Sequence, residues 1–233
     1  MADHRLDGTE WLVRGTDAPD VRAEACVDEL WRAVFKSRVP TRAWRVVLEI
    51  LALCVDPAEF EGEGVPLLKT AFDEGSAEYA SLLAVLRTFY QRSHGKYRGD
   101  VLEEIVARRC SAKHIGASGG RLLKLRHASL HRVTDGTSVC KNGETKVDHA
   151  WVGRQPRWVG WIECKISLDH SDDRVRRQFR YLAACRLATR LAGLRSTAVV
   201  ISLDKRCRLP VMPGVTHRLD WRGWDFVVGL MSP

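Results

Sequence analysis

The chain has 233 residues, 45% of them hydrophobic and 28% charged, the composition of a globular protein with a substantial core. No run nears the ~18 uninterrupted apolar residues of a membrane span, and the opening MADHRLDGTE is polar and acidic rather than a secretory leader, so neither a membrane protein nor an exported one is expected. The net charge of +8 is unevenly spread: residues 1–95 carry 11 Lys/Arg against 16 Asp/Glu, whereas residues 96–195 carry 21 against 10. A basic C-terminal portion suits a polyanionic partner, nucleic acid being the commonest. Seven scattered cysteines without a leader point to free thiols in a reducing compartment, hence a cytoplasmic location.

In chain order, DVRAEACVDELWRAVFKSR places Val21, Ala25, Val27, Leu30, Trp31, Val34 and Phe35 at helical spacing. A break at Val39-Pro40 follows, and Thr41 is placed to cap a second helix, TRAWRVVLEILALCV. The segment DPAEFEGEGVP, rich in Gly, Pro and acid, reads as a loop, and one or two further helices are expected from Leu67 to Gln91. SHGKYRG, residues 93–99, reads as a hinge. The division expected is thus an acidic, all-helical N-terminal domain over residues 1–95 and a basic domain over 96–233.

The second part changes rhythm. GDVLEEIVARRC reads as a helix, GASGG as a turn, HASLHRVTDG as a strand, ETKVDHAWV as a strand, GRQP as a turn and RWVGWIECKIS as a third strand. A long helix, DHSDDRVRRQFRYLAACRLATRLAG, follows, then the strand STAVVISLD and an expected last strand, WDFVVGLM. The order helix, three strands, helix, strand is an α/β pattern.

Within WVGWIECKIS, five of ten residues are Trp, Val or Ile, yet Glu163 and Lys165 sit two apart. Side chains alternate along a strand, so these two share a face with Val159 and Trp161, while Trp158, Ile162, Cys164 and Ile166 face the other way. Both faces look buried, and buried charges are costly unless paired or ligating. On the preceding strand Val147 and Trp151 are expected on one face, Lys146 and Asp148 on the other. A hairpin closed with Val152 opposite Arg157 sets Asp148 diagonal to Glu163; a two-residue change in the pairing sum sets them directly opposite. Either way Asp148, Glu163 and Lys165 converge, at a spacing of ~5–8 Å. Two carboxylates suit Mg²⁺, which takes one or two of them and keeps several waters. The lysine can orient a water or offset developing negative charge. On the preceding helix Leu102, Ile105 and Val106 define a buried stripe; Glu103 lies at its edge, able to reach the sheet, and Glu104 is expected to face water.

Asp148, then Glu163-Cys164-Lys165 after a short hairpin, with helical Glu103 upstream and Gln178 on the downstream helix, resembles the PD-(D/E)xK nuclease superfamily, the restriction-endonuclease-like fold. The resemblance covers about residues 96–203 and departs at Val147, where the family's nominal proline stands. It implies an αβββαβ core with a mixed sheet, and a metal-dependent nuclease, endonuclease or exonuclease. Asp148, Glu163 and Glu103 would hold Mg²⁺ or Mn²⁺, Lys165 would assist the attacking water and Gln178 would lie near the site. It also implies DNA before RNA as substrate, in settings such as restriction, phage defence or repair, and a homodimer where both strands of a duplex are cut. Arg174, Arg176, Arg177 and Arg180 are candidate phosphate contacts.

Competing readings are a charged pair on a solvated sheet face, a nuclease-like module that binds nucleic acid without cutting it, and an adaptor whose N-terminal helices dock a partner. Zinc at Cys110, His114, His127, His131 and Cys140 is disfavoured, because His127 and His131 would stand ~13 Å apart along one strand. Cys164 faces the core and is expected to be inert.

Overall fold

The computed structural model describes residues 2–16, 21–35, 40–93, 97–116, 122–140, 146–153, 157–168, 172–205 and 219–231. The strands are β1 (Ala2–Arg5), β2 (Trp11–Thr16), β3 (Leu122–Arg132), β4 (Val147–Gly153), β5 (Trp158–Lys165), β6 (Arg195–Ser202) and β7 (Asp220–Arg222). The helices are α1 (Val21–Phe35), α2 (Pro40–Leu53), α3 (Pro57–Glu59), α4 (Val65–Ala71), α5 (Ala77–Ser93), α6 (Tyr97–Arg109), α7 (Asp173–Leu191) and α8 (Trp224–Leu230). The seven strands among the described residues form one mixed sheet in sequence order. Neighbours are antiparallel from β1 to β5 and parallel from β5 to β7, with α7 as the crossover that a parallel β5–β6 pair requires. The expected α/β class and the order α6, β3, β4, β5, α7, β6 are observed.

Each sheet face carries its own apolar layer. Trp151, Trp158, Ile162, Cys164, Val199 and Ile201 pack with α1, α2, α5, α6 and α8, while Val147, Ala150, Val159, Trp161, Ala198 and Val200 pack with α7. Strand β5 is therefore buried on both sides, as its composition suggests. Gly160 makes room for an indole: a Cβ there would lie 2.3 Å from Cη2 of Trp158 and 3.1 Å from Cδ1 of Ile115. Because Trp158 is itself buried, Gly160→Ala is expected to cost about 1–3 kcal/mol, measured by denaturant unfolding.

The N-terminal expectation needs correction. Residues 1–95 are not all helical: β1 and β2 extend the sheet, with β2 pairing β3 from Trp11↔Arg132 to Thr16↔Arg126. The core on the α6 face runs without interruption from Val27 to Met231. Helix α6 also caps α2 from across residue 95, Arg98 Nη1 donating to the carbonyls of Leu51 (2.9 Å) and Cys54 (3.0 Å). Deleting residues 1–95 is therefore expected to unfold the rest, read as loss of cooperative melting by circular dichroism.

Four local expectations also change. The acidic DPAEFEGEGVP segment is helical: α3, a π-helical turn over Phe60–Gly64, then α4. Asp56 caps it by accepting from the Glu59 N–H, prolines occupy first-turn positions, and buried Phe60 stacks on Tyr90 at 4.8 Å. Pro40, not Thr41, opens α2. WDFVVGLM is α8 rather than a strand, burying Val227 and Leu230 three residues apart. Tyr97, Arg98 and Gly99 of the expected hinge form the first turn of α6. The expected turns at 117–120 and 154–156, the rest of that hinge at 94–96, and the start of the long helix at 169–171 lie outside the described residues.

Candidate active site

The register of β4 on β5 decides what Asp148 meets. His149 pairs Ile162 and Val152 pairs Val159, so the second of the two expected registers is observed, and one step further along places Asp148 opposite Glu163. Asp148 Oδ2 accepts the Cys164 N–H at 2.6 Å, so its carboxylate takes a hydrogen bond at the point where β4 begins. Lys165 Nζ donates to Glu163 Oε1 at 2.5 Å and stands 4.0 Å from Asp148 Oδ2. Glu163 is the deepest of the three, its side chain 1% exposed against 17% for Asp148 and 18% for Lys165. Its second oxygen, Oε2, is buried and has no hydrogen-bond partner among the described residues.

Electrostatics follow from that burial. Desolvation, then the Asp148 charge, pushes the Glu163 carboxyl up, with Lys165 pulling it back. Desolvation opposes charge on Lys165 too, but Glu163 and Asp148 outweigh it and hold the ammonium form above its ordinary range. The contact pairs the Lys165 ammonium with the Glu163 carboxyl. Glu103, on α6, is pushed up to about 9 by desolvation first, then by Asp148, Asp100 and Glu163. Four of the expected site residues, Glu103, Asp148, Glu163 and Lys165, thus form one electrostatically linked group.

The strand parity behind that expectation holds only in part. Val147 packs in the α7 layer beside Ala150, whereas Trp151 lies in the α6 layer, so simple alternation breaks between Val147 and His149. The cause is on β3. His127 has φ 47°, the one non-glycine residue among those described with positive φ, and β2–β3 pairing shifts by one residue there. This bulge puts both Leu125 and Ala128 in the α7 layer. In the β3–β4 register His127 falls opposite Asp148.

Glu104 is a second correction. It is buried, 2% exposed, and bridges Arg108 and Arg126 at 2.5 Å each. Burial works to raise its pKa, and the two guanidiniums outweigh it. Helix α6 is covered on more than one side, packing on β5 and on α1, where Arg108 reaches Asp28 at 2.6 Å; that is why an edge assignment from one apolar stripe failed. Sequence reasoning also passed over His149, fully buried, whose Nε2 lies 3.2 Å from the Glu103 carbonyl. Its place beside Asp148 is the signal that was available. Burial, then the Arg126 charge, lowers its imidazole to about 3.

Gln178 is half-buried on α7, and no hydrogen bond among the described residues links it to Asp148, Glu163 or Lys165. Arg174, Arg176, Arg177 and Arg180 are exposed on the N-terminal half of α7, the end that follows Lys165; Arg176 pairs with Asp173 at 2.5 Å.

Among the described residues no three His, Cys, Asp or Glu side chains are gathered closely enough to hold a metal ion by themselves. That includes the cysteine–histidine set considered for zinc. Asp148 and Glu163 still offer two oxygen donors, one of them the unpartnered Oε2, with the Lys165 ammonium already beside both. Such an all-oxygen set fits Mg²⁺ or Mn²⁺, which water can complete.

No family model matches the chain. No curated protein matches it either. Among solved structures it is similar to the crystal structure of protein VC1899 from Vibrio cholerae, at 15% identity and a TM-score of 0.43. The match covers 94% of this chain and 57% of that one, a likeness too slight to carry fold or function across. No helix among the described residues is long and apolar enough to cross a membrane.

Proposed function

We propose that this chain is a metal-dependent nuclease of the PD-(D/E)xK type, cutting phosphodiester bonds of nucleic acid, DNA in preference to RNA. The observation that carries the reading is the desolvated group of Asp148, Glu163 and Lys165, with Glu103 beside it and one carboxylate oxygen left without a partner. Burying acids this way costs stability, and such perturbed groups concentrate at functional sites. A divalent cation on Asp148 and Glu163 would acidify a water and offset charge on the phosphoryl oxygen. Lys165 would orient the attacking water, and Glu103 would complete or orient the acidic group. Arg174, Arg177 and Arg180 would neutralise phosphates along α7 and set the strand's path toward Lys165.

The test is cleavage of labelled duplex DNA, single-stranded DNA and RNA with Mg²⁺, Mn²⁺ or EDTA. Metal-dependent cutting is expected, with DNA preferred; a folded protein that cuts none of the three under any metal sinks the reading. The engagement of Asp148 by Cys164 and of Glu163 by Lys165 favours one alternative, a binding module without chemistry. That module would retain nucleic acid equally with metal and with EDTA. For either, Arg177→Ala together with Arg180→Ala is expected to weaken DNA binding and to flatten its salt dependence by about two in the slope of log K against log salt. A titration by fluorescence anisotropy at several salt concentrations measures it.

A further inference from the structure

His149 ties the sheet to helix α6 next to the site. Its Nε2 lies 3.2 Å from the backbone oxygen of Glu103. A carbonyl only accepts, so Nε2 carries the hydrogen and donates it. That oxygen is inside α6, where the helix already supplies a donor four residues on, so the imidazole adds a second hydrogen bond to it. The adjacent residue of the same helical turn, Glu104, is gripped by Arg126, and Arg126 is the β3 residue paired with His149. One turn of α6 is thus tied at two successive residues to one rung of the sheet. The next residue along β4 from that rung is Asp148.

We propose that His149 is a positioning residue: by bonding the Glu103 carbonyl it holds Glu103 in register with Asp148, and so sets the arrangement of acids that receives a divalent cation. This rests on the nuclease reading above. The alternative is a core histidine that merely satisfies its own N–H, and the two differ in what happens to cation binding in a folded variant. His149→Leu keeps apolar bulk and loses the donor, whereas His149→Gln keeps an N–H of similar reach.

The experiment is Mn²⁺ binding by isothermal calorimetry to wild type, His149→Leu, His149→Gln, Glu103→Gln and the double variant Glu103→Gln with His149→Leu, each with a melting curve. Expected are a 10–100-fold weaker affinity in His149→Leu, as for other residues that orient ligands, and recovery of most of it in His149→Gln. In the Glu103→Gln background, loss of His149 should add little. Wild-type affinity in a folded His149→Leu overturns the inference and leaves the nuclease reading standing. So does an equal loss with or without the Glu103 carboxylate, since a structural role would weaken both backgrounds alike. If His149→Leu does not fold, the His149→Gln variant decides: wild-type affinity supports the inference and a marked deficit with an intact melt overturns it. A wild type with no measurable Mn²⁺ affinity removes the metal site, and this inference with it.

Discussion

Glu163→Gln is expected to abolish cleavage while the protein stays folded, and Lys165→Met to lower it by about 10²–10³-fold, the usual cost of removing one preorganised charge from a transition state. The choice of replacement matters because the two groups share a desolvated pocket. The amide introduced by Glu163→Gln would keep an oxygen for the Lys165 ammonium, 2.5 Å away in the native protein, but would lose the anion that a cation needs. Glu163→Ala would instead leave Lys165 with only Asp148 at 4.0 Å, an almost unpaired buried charge, and is expected to destabilise the fold as well. Lys165→Met is milder for the fold, since a Glu163 carboxyl already pushed up by burial can take a proton when its partner is gone. Single-turnover cleavage beside urea unfolding separates the effects. Full activity in either folded variant would remove Glu163 or Lys165 from the chemistry and leave the pair a structural salt bridge.

Glu103→Gln should stabilise the protein, increasingly so as pH rises. The Glu103 carboxyl is raised in the folded state from an ordinary 4.5 to about 9, burial contributing most. Below the unfolded value both states are protonated and the side chain costs nothing. Between there and about 9 the folded state holds a proton that the unfolded state has released, so stability falls as pH rises. A proton held by one state alone is worth ~1.4 kcal/mol for each pH unit crossed. With the neighbouring acids sharing the effect, the amide should gain on the order of 2 kcal/mol at neutral pH and nothing near pH 4. Urea unfolding at pH 4, 7 and 9 measures it. A difference that does not grow with pH would mean that Glu103 is ionised in the folded protein. The same raised carboxyls predict that Mn²⁺ affinity climbs between pH 6 and 9, with protons released on binding, because the cation needs the acids charged.

Much of this site is legible in the residues alone. A carboxylate and an ammonium two apart in a run of Trp, Val and Ile have to be paired or ligating, and the hydrophobic alternation of β5 fixes their common face. The two layers on that strand, Val159 with Trp161 and Trp158 with Ile162 and Cys164, fall as the alternation requires. Glu103 is reachable in the same way, from its place beside the Leu102–Val106 stripe. Glu104 is not, because a helix covered from two directions has no single wet face, and only Arg126 and Arg108 show that a carboxylate is welcome there. The break of parity at Val147 is equally hidden, since it goes with the positive φ of His127 on a different strand.

The sequence by itself determined the α/β class, the order α6-β3-β4-β5-α7-β6 and the common face of Glu163 and Lys165, because helical periodicity and the alternation along β5 are local. Only the tertiary structure decided that residues 2–16 complete the same sheet and that one core crosses the expected boundary at 95. It alone set the Asp148–Glu163 register and joined His149 to the Glu103 carbonyl. Those features depend on which strand edges and helix faces find each other, in the His149–Glu103 contact across more than 40 residues of chain. That is settled by burying apolar surface and satisfying backbone groups over the whole molecule, not by any pattern along a short stretch.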